Sequence, residues 1–364
     1  MQKILLISYG DYDYDGRLRE LIKVFDNIGT LYCYTRGSEA KNAKHKLFSG
    51  KSYISFIRSA VSFGKKIGNF DVLVLDNRRA TIPGLMLKKS LKPKVVIQDC
   101  RELYISKDMD SFVSKVGCFF ESKMIEKADI IISANKKRAE IMQQMYSLKK
   151  EPLVYENLRK LEYGRNNHRV YEKKYADILK EDEYRIISTS GCSISRTNDI
   201  LVKNISQINH KVRVLLVGGS VQEDIDAIKK ICRDKHIDNV EIIDTLEQDE
   251  LKWLIQQSHI GVVNYHQNDL NNKYCASGKI YEFVYEGKPV ITTTNPPLMD
   301  LCDEYQIGEP DDEYYIGINK IIENYDFYKE RVENFTKLNT VENNNERIID
   351  ELILQIEKSK KDLS

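Results

Sequence analysis

The feature that most restricts this chain is an alternation of short, almost wholly apolar runs with amphipathic helical stretches, carried through twice. In the first half the runs are Lys3–Tyr9, Thr30–Thr35, Asp71–Asp76, Lys94–Asp99 and Asp129–Ser133. Their Val, Ile and Leu fill successive positions rather than alternate ones, which suits strands of a parallel sheet covered on both faces. Between the first two, the spacing predicts a helix over Gly16–Ile28, with Leu18, Leu21, Ile22, Phe25 and Ile28 on one stripe and Gly29 as its C-cap. In the second half the runs are Tyr184–Ser190, Val212–Val217, Asn239–Ile243, His259–Tyr265 and Pro289–Thr293, with helices over Glu223–Lys235 and Gln248–Ser258.

Alternation of this kind gives an α/β chain of two doubly wound, Rossmann-like domains. At 364 residues the chain is long for a single core and sufficient for two. The stretch from Leu158 to Glu183 is dense in Lys, Arg, Asn and Glu and holds no apolar strand, so the boundary is expected there. The domains are read as 1–165 and 166–340. The polar helical segment 341–364 is expected to cross back to the first. Ligands of such sheets bind beyond the carboxyl ends of the strands, and two facing domains would hold a central cleft.

Composition narrows the classes. Fifty-six basic residues nearly cancel fifty-five acidic ones, so no global charge draws the chain to nucleic acid. No apolar run approaches the ~20 residues that span a bilayer. Met1–Tyr9 reads as a first strand rather than a signal peptide, and seven scattered Cys without a Cys-x-x-Cys pair argue against zinc and a disulfide framework. The expected compartment is the cytoplasm. His259 and His266 lack partners at metal spacing and read as structural or surface histidines.

Chemistry is sought just after each strand. Gly10 follows the first, where a ligand would approach the backbone, and Asp15 either N-caps the next helix or faces the ligand. Asp99 ends the fourth strand. It serves as a general base on an acceptor hydroxyl, caps the following helix, or pairs with Arg101. The first strand of the second half leads into Gly191-Cys192-Ser193-Ile194-Ser195-Arg196, a small-residue loop with a cation, suited to a diphosphate or else a plain surface loop. Gly218-Gly219 after the next strand allows another close approach. In Ser277-Gly278-Lys279-Ile280-Tyr281-Glu282, Lys279 and Glu282 are three apart on one helix face. They provide for a phosphate and a ribose, or form an ordinary salt bridge with each other.

Together these segments resemble family 4 retaining glycosyltransferases of the GT-B type. The strongest part is Ser277 to Ile291, which is similar to the family pattern P-S-K-hydrophobic-x-E-x-x-x-x-G-x-P-V-I. Looser matches are Asp15-Gly16-Arg17 to a D-x-R element, Asp99 to Leu103 to D-x-R-D-L, and Glu126 to Ser133 to an A-D-x-hydrophobic strand. Three departures stand out. Tyr274 occupies the place of a second Glu, Leu201 that of a phosphate-loop Lys, and Asp99 that of a frequent catalytic His.

The resemblance implies a retaining, metal-independent hexosyltransferase that moves a sugar from a nucleoside diphosphate sugar, UDP favoured, to an acceptor hydroxyl. It implies no separate cofactor. It assigns Gly10, Gly191, Arg196, Ser277, Gly278, Lys279 and Glu282 to the donor, Glu282 holding the ribose, and Asp99, Arg196 and Lys279 to catalysis. The acceptor would be a glycan, lipid-linked or protein-linked, in bacterial surface polysaccharide or glycoconjugate synthesis, with room for peripheral attachment at the inner face of the membrane. A nucleotide-sugar epimerase and a non-catalytic, glycosyltransferase-like partner subunit are the rival readings.

Overall fold

The computed structural model describes residues 2–40, 43–161, 167–180 and 182–361. The chain divides into two compact units, Met1–Leu158 with Val341–Ser364, and Arg159–Thr340. The boundary expected at 165/166 lies outside the described residues.

The first unit is a seven-stranded sheet: β1 (Gln2–Asp11), β2 (Gly29–Arg36), β3 (Lys44–Leu47), β4 (Val72–Asp76), β5 (Val95–Cys100), β6 (Ile130–Ser133) and β7 (Leu153–Val154). Its order is β3-β2-β1-β4-β5-β6-β7, with every pairing parallel. The register sets Ser8 beside Asp76, and Asp76 beside Asp99. Residues 68 and 23 positions apart thus meet at one end of the sheet.

Helix α1 (Gly16–Ile28) follows β1. Asp15 caps it, its carboxylate accepting from the Leu18 N–H at 2.9 Å. Leu18, Leu21 and Phe25 are wholly buried against the sheet, each adding about 1.5–3 kcal/mol of apolar burial. Gly29 is the C-cap as expected, its N–H donating to the Phe25 carbonyl, but not in the left-handed form. It is extended (φ −173°) and opens β2, and a Cβ there would run into the Gln2 carbonyl. Helices α2 (Tyr53–Ile67), α3 (Thr81–Leu91), α4 (Phe112–Ile125) and α5 (Lys136–Met145) link the later strands.

The second unit has strands β8 (Tyr184–Ser188), β9 (Val212–Val217), β10 (Val240–Ile243), β11 (Ile260–Val263), β12 (Val290–Thr292) and β13 (Gly308–Pro310), ordered β10-β9-β8-β11-β12-β13 and again all parallel. Its helices are α6 (His168–Tyr175), α7 (Asn198–Asn204), α8 (Gln222–Asp234), α9 (Gln248–Gln256), α10 (Leu270–Lys273), α11 (Lys279–Tyr285), α12 (Pro296–Tyr305), α13 (Tyr315–Glu323) and α14 (Tyr325–Leu338). The last helix, α15 (Val341–Lys361), belongs to the first unit, where Ile348, Leu352 and Ile356 join the core that includes Leu18, Leu21 and Phe25.

Among the described residues no helix is long and apolar enough to cross a membrane.

Candidate active site

In each sheet the strand order reverses at one point, between β1 and β4 in the first unit and between β8 and β11 in the second. Connections diverge there and leave a crevice at the carboxyl ends of the strands.

In the second unit the crevice is bordered by the loop after β8. Buried Asn198 pins this loop, donating to Ser190 Oγ (3.0 Å) and to the Gly191 carbonyl (2.7 Å) while accepting from Asn264 beyond β11 (2.8 Å). Gly191 needs its lack of side chain. Its φ is +59°, and a Cβ would stand 2.7 Å from the Gly218 carbonyl. The loop therefore packs on the Gly218-Gly219 turn.

Most of this loop's backbone N–H groups are already engaged within the protein. The N–H groups of Gly191, Cys192, Ser193, Ile194 and Arg196 already donate to Val217 O, Ser220 Oγ, Ser190 O, Asp224 Oδ2 and Ser193 O. Side-chain donors stand beside the loop as well. Arg196 stacks on Tyr265, guanidinium to ring 4.1 Å, and its buried Nη1 has no partner. Thr189 Oγ1 is likewise buried without a hydrogen bond. Polar atoms so left cost about 1–3 kcal/mol each unless a ligand or water completes them.

Helix α11 carries the Ser277 segment across this crevice. It has seven residues, and Lys279 is the first of them. Lys279 Nζ donates to the Thr189 carbonyl at 2.6 Å. Burial pushes its pKa down to about 8, opposed by Glu282 and assisted by Arg196 and Arg159. The Lys279–Glu282 salt bridge does not form. Glu282, 7% exposed, meets the guanidinium of Arg159 instead, Nε to Oε1 2.6 Å. Gly278 leaves room for that guanidinium, since a Cβ would stand 2.6 Å from its Nε. Arg159 escaped the sequence reading because it lies in a polar stretch far from any motif. Its neighbours there gave no signal of it.

Gly191, Arg196, Ser277, Gly278, Lys279 and Glu282 thus gather in the second unit, with Arg159, Thr189 and Tyr265 added. Tyr274, where a second carboxylate would stand, follows α10 and is half-buried.

Gly10 and Asp99 belong to the first unit. The Gly10 N–H donates to Ser8 Oγ at 2.8 Å, so it is not a spare donor. Asp99 is 0% exposed, and Arg17 grips it through Nη2 (3.0 Å) and Nε (3.3 Å). The base role expected of Asp99 is therefore corrected, because a carboxylate sealed from solvent and held by two donors reaches no acceptor hydroxyl. Of the two other readings, pairing with Arg101 is minor, at 3.7 Å. Arg101 is held chiefly by Asp15 (2.5 Å) and by Asp76 (Nη2 to Oδ2, 2.8 Å). Burial raises Asp76 to about 6; Arg101 and Ser8 oppose the rise, and Asp99 and Asp15 add to it.

No family model and no curated protein matches this chain in sequence. Solved structures do match in fold. The Anabaena protein HepE, in complex with UDP and glucose, superposes with a TM-score of 0.71 at 14% identity, over 97% of this chain and 99% of that one. Sucrose-phosphate synthase from Thermosynechococcus elongatus gives 0.70 at 16% identity over 100% and 99%. A glycosyltransferase from Rickettsia africae gives 0.70 at 14% over 98% of each chain. A UDP-N-acetylglucosamine 2-epimerase is more distant, at 0.54 and 11% over 91% and 90%. The chain has the GT-B fold of two Rossmann-like domains that these glycosyltransferases share.

Proposed function

We propose that this chain is a glycosyltransferase that takes a sugar from a nucleoside diphosphate sugar, a UDP-sugar by preference, to an acceptor hydroxyl. The observation that carries the reading is the unfinished hydrogen bonding around Arg196. A buried guanidinium Nη1 and Thr189 Oγ1 want acceptors at the reversal point of the sheet, with Lys279 and Glu282 beside them. A diphosphate supplies acceptors to the first group, and ribose hydroxyls donate to Glu282 once Arg159 is displaced. The likeness to HepE, whose structure holds UDP and glucose, supports the same reading.

As the glycosidic bond breaks, charge accumulates on the leaving diphosphate. Arg196 and Lys279 would stabilise that charge more in the transition state than in the ground state. Two cations at the diphosphate make a metal dispensable, so EDTA is expected to leave the rate unchanged. We read the enzyme as retaining, of family 4, and as building a bacterial surface glycan at the cytoplasmic face.

The test is titration of the full chain with UDP, GDP and ADP, followed by transfer assays with the sugar nucleotide of the tightest binder. Glu282→Ala is expected to weaken UDP binding about ten- to a hundredfold through loss of charged hydrogen bonds. The reading fails if no nucleoside diphosphate binds or if Glu282→Ala binds like the parent. An epimerase, whose fold is also similar, would interconvert the sugar nucleotide without any acceptor.

A further inference from the structure

The first unit has a crevice of its own, and of the residues assigned a role only Gly10 lines it. It is a pocket of about 320 Å³ at the carboxyl ends of β1 and β4, walled by Tyr9, Gly10, Asn77, Arg78, Arg79 and Arg101 among others. It opens at the reversal point of this sheet, where a doubly wound domain takes its ligand.

Three arginines, Arg78, Arg79 and Arg101, and three carboxylates, Asp15, Asp76 and Glu102, line it, but the carboxylates are turned to Arg101 and Arg138. Arg101 is neutralised by Asp15 and Asp76, and Glu102 on the rim turns to Arg138, 3.5 Å away. Arg78 and Arg79 have no carboxylate within ion-pair distance among the described residues. Arg78 lies over the Tyr104 ring at 4.7 Å. Its Nη1 meets only Cys118 Sγ (3.2 Å) and Met109 Sδ (3.6 Å), which are weak acceptors. Gly117 of α4 makes room for its stem, since a Cβ would approach Arg78 Cδ to 3.3 Å. Glu121 behind it is raised by burial to about 8, so at neutral pH it is largely protonated and leaves the Arg78 charge standing. Arg79 lies over Tyr9 at 4.7 Å.

The backbone is bent to present these two side chains. Asn77 has φ 62° and ψ 174°, a conformation that only glycine adopts readily and that costs about 1–3 kcal/mol. Its Oδ1 accepts from the Arg78 N–H at 2.7 Å, and its own N–H donates to the Asp99 carbonyl at 2.9 Å. The short turn Arg78–Ala80 follows at once. Two consecutive guanidiniums, each steadied on a tyrosine face and each with donors to spare, match an oxyanion of two charges and several acceptor oxygens.

We propose that this pocket binds a phosphate group carried by the sugar acceptor, with Arg78 and Arg79 as its ligands. That the phosphate belongs to an acceptor rests on the transferase reading; that the pocket takes phosphate does not. A soluble sugar phosphate and a phosphate-linked lipid share this chemistry.

The experiment titrates inorganic phosphate into the full chain with UDP saturating, by calorimetry. One phosphate is expected to bind, and the doubly substituted Arg78→Ala, Arg79→Ala chain is expected to bind it at least about tenfold more weakly with UDP affinity unchanged. Arg78→Lys with Arg79→Lys, which keeps the charges but not the forked donors, should recover part of the affinity. Glucose 6-phosphate against glucose, and phosphatidylcholine vesicles with against without polyprenyl phosphate, are then tested as competitors. Whichever phosphate-bearing probe displaces phosphate names the source. Equal phosphate binding by the parent and alanine chains overturns the proposal, and so does a failure of both probes to compete. If UDP itself does not bind, the transferase reading fails, and the comparison of parent and alanine chains with phosphate still decides this one.

Discussion

Two residues read from the sequence as catalytic now carry opposite expectations. Asp99 is part of the fold's interior. Asp99→Asn removes one partner of a buried pair and leaves Arg17, 7% exposed, without its anion, a loss of about 3–5 kcal/mol. The expected result is a lower melting temperature and, in the protein that remains folded, an unaltered pH profile of transfer. A full-strength melting temperature with a collapsed kcat would restore Asp99 as the base. Lys279, by contrast, should report on the chemistry. Its pKa is lowered from 10.5 to about 8 in the free protein, so above pH 8 it is increasingly uncharged. A bound diphosphate favours the charged form and raises the pKa again. Binding then takes up a proton, and UDP affinity should fall as the pH rises above 8, by about ten- to a hundredfold once the charge is gone. Lys279→Arg keeps its charge throughout and should flatten the curve; a slope that survives in that variant rules Lys279 out as its cause. Binding is the right readout here, because the lowered pKa also makes folding stability rise with pH between about 8 and 10.5. Lys288, likewise lowered to about 8, contributes in the same window.

Among the elements, what was legible in the sequence follows from burial. Val212–Val217 is a strand at the very residues expected, and α1 occupies Gly16–Ile28 as its apolar stripe predicts. Both are driven by apolar residues whose period fits one structure only. Two of the strands that escaped notice carry no such signal. β3 is Lys44-His45-Lys46-Leu47, a sheet edge exposed on alternate residues, and β13 is three residues ending in Pro310, also an edge. Edge strands tolerate Lys and Pro, so periodicity misses them. The site was legible to the same degree. Gly191 and Arg196 lie on a recognisable strand-to-helix junction, and Glu282 within the short helix α11. Arg159 and the pair Arg78 and Arg79 were not legible, because their meaning lies in which carboxylates they do or do not meet, and that is fixed by packing.

At the scale of the molecule, the first unit is discontinuous, since its core is closed by a helix that arrives after the whole second unit has been made. α15 places Ile348, Leu352 and Ile356 at 0% exposure beside residues of α1 and of β1, β2, β4, β5 and β6. A surface helix so polar elsewhere has little reason to stay folded apart from this stripe. Leu352→Ala deletes buried methyl groups at the middle of the stripe and should cost about 2–5 kcal/mol, the spread reflecting how far the cavity collapses. The loss falls on the unit that holds Arg78, Arg79 and Arg101, whereas Arg196, Lys279 and Glu282 draw their support from the other core. Hydrogen exchange on the full-length variant would separate the two. Faster exchange is expected in α1, α15 and β1, with the strands β8, β9 and β11 protected as in the parent and UDP bound at its usual affinity. Uniform deprotection of both sheets would mean that the two cores unfold as one, and the division of labour between the units would then have to be argued from chemistry alone.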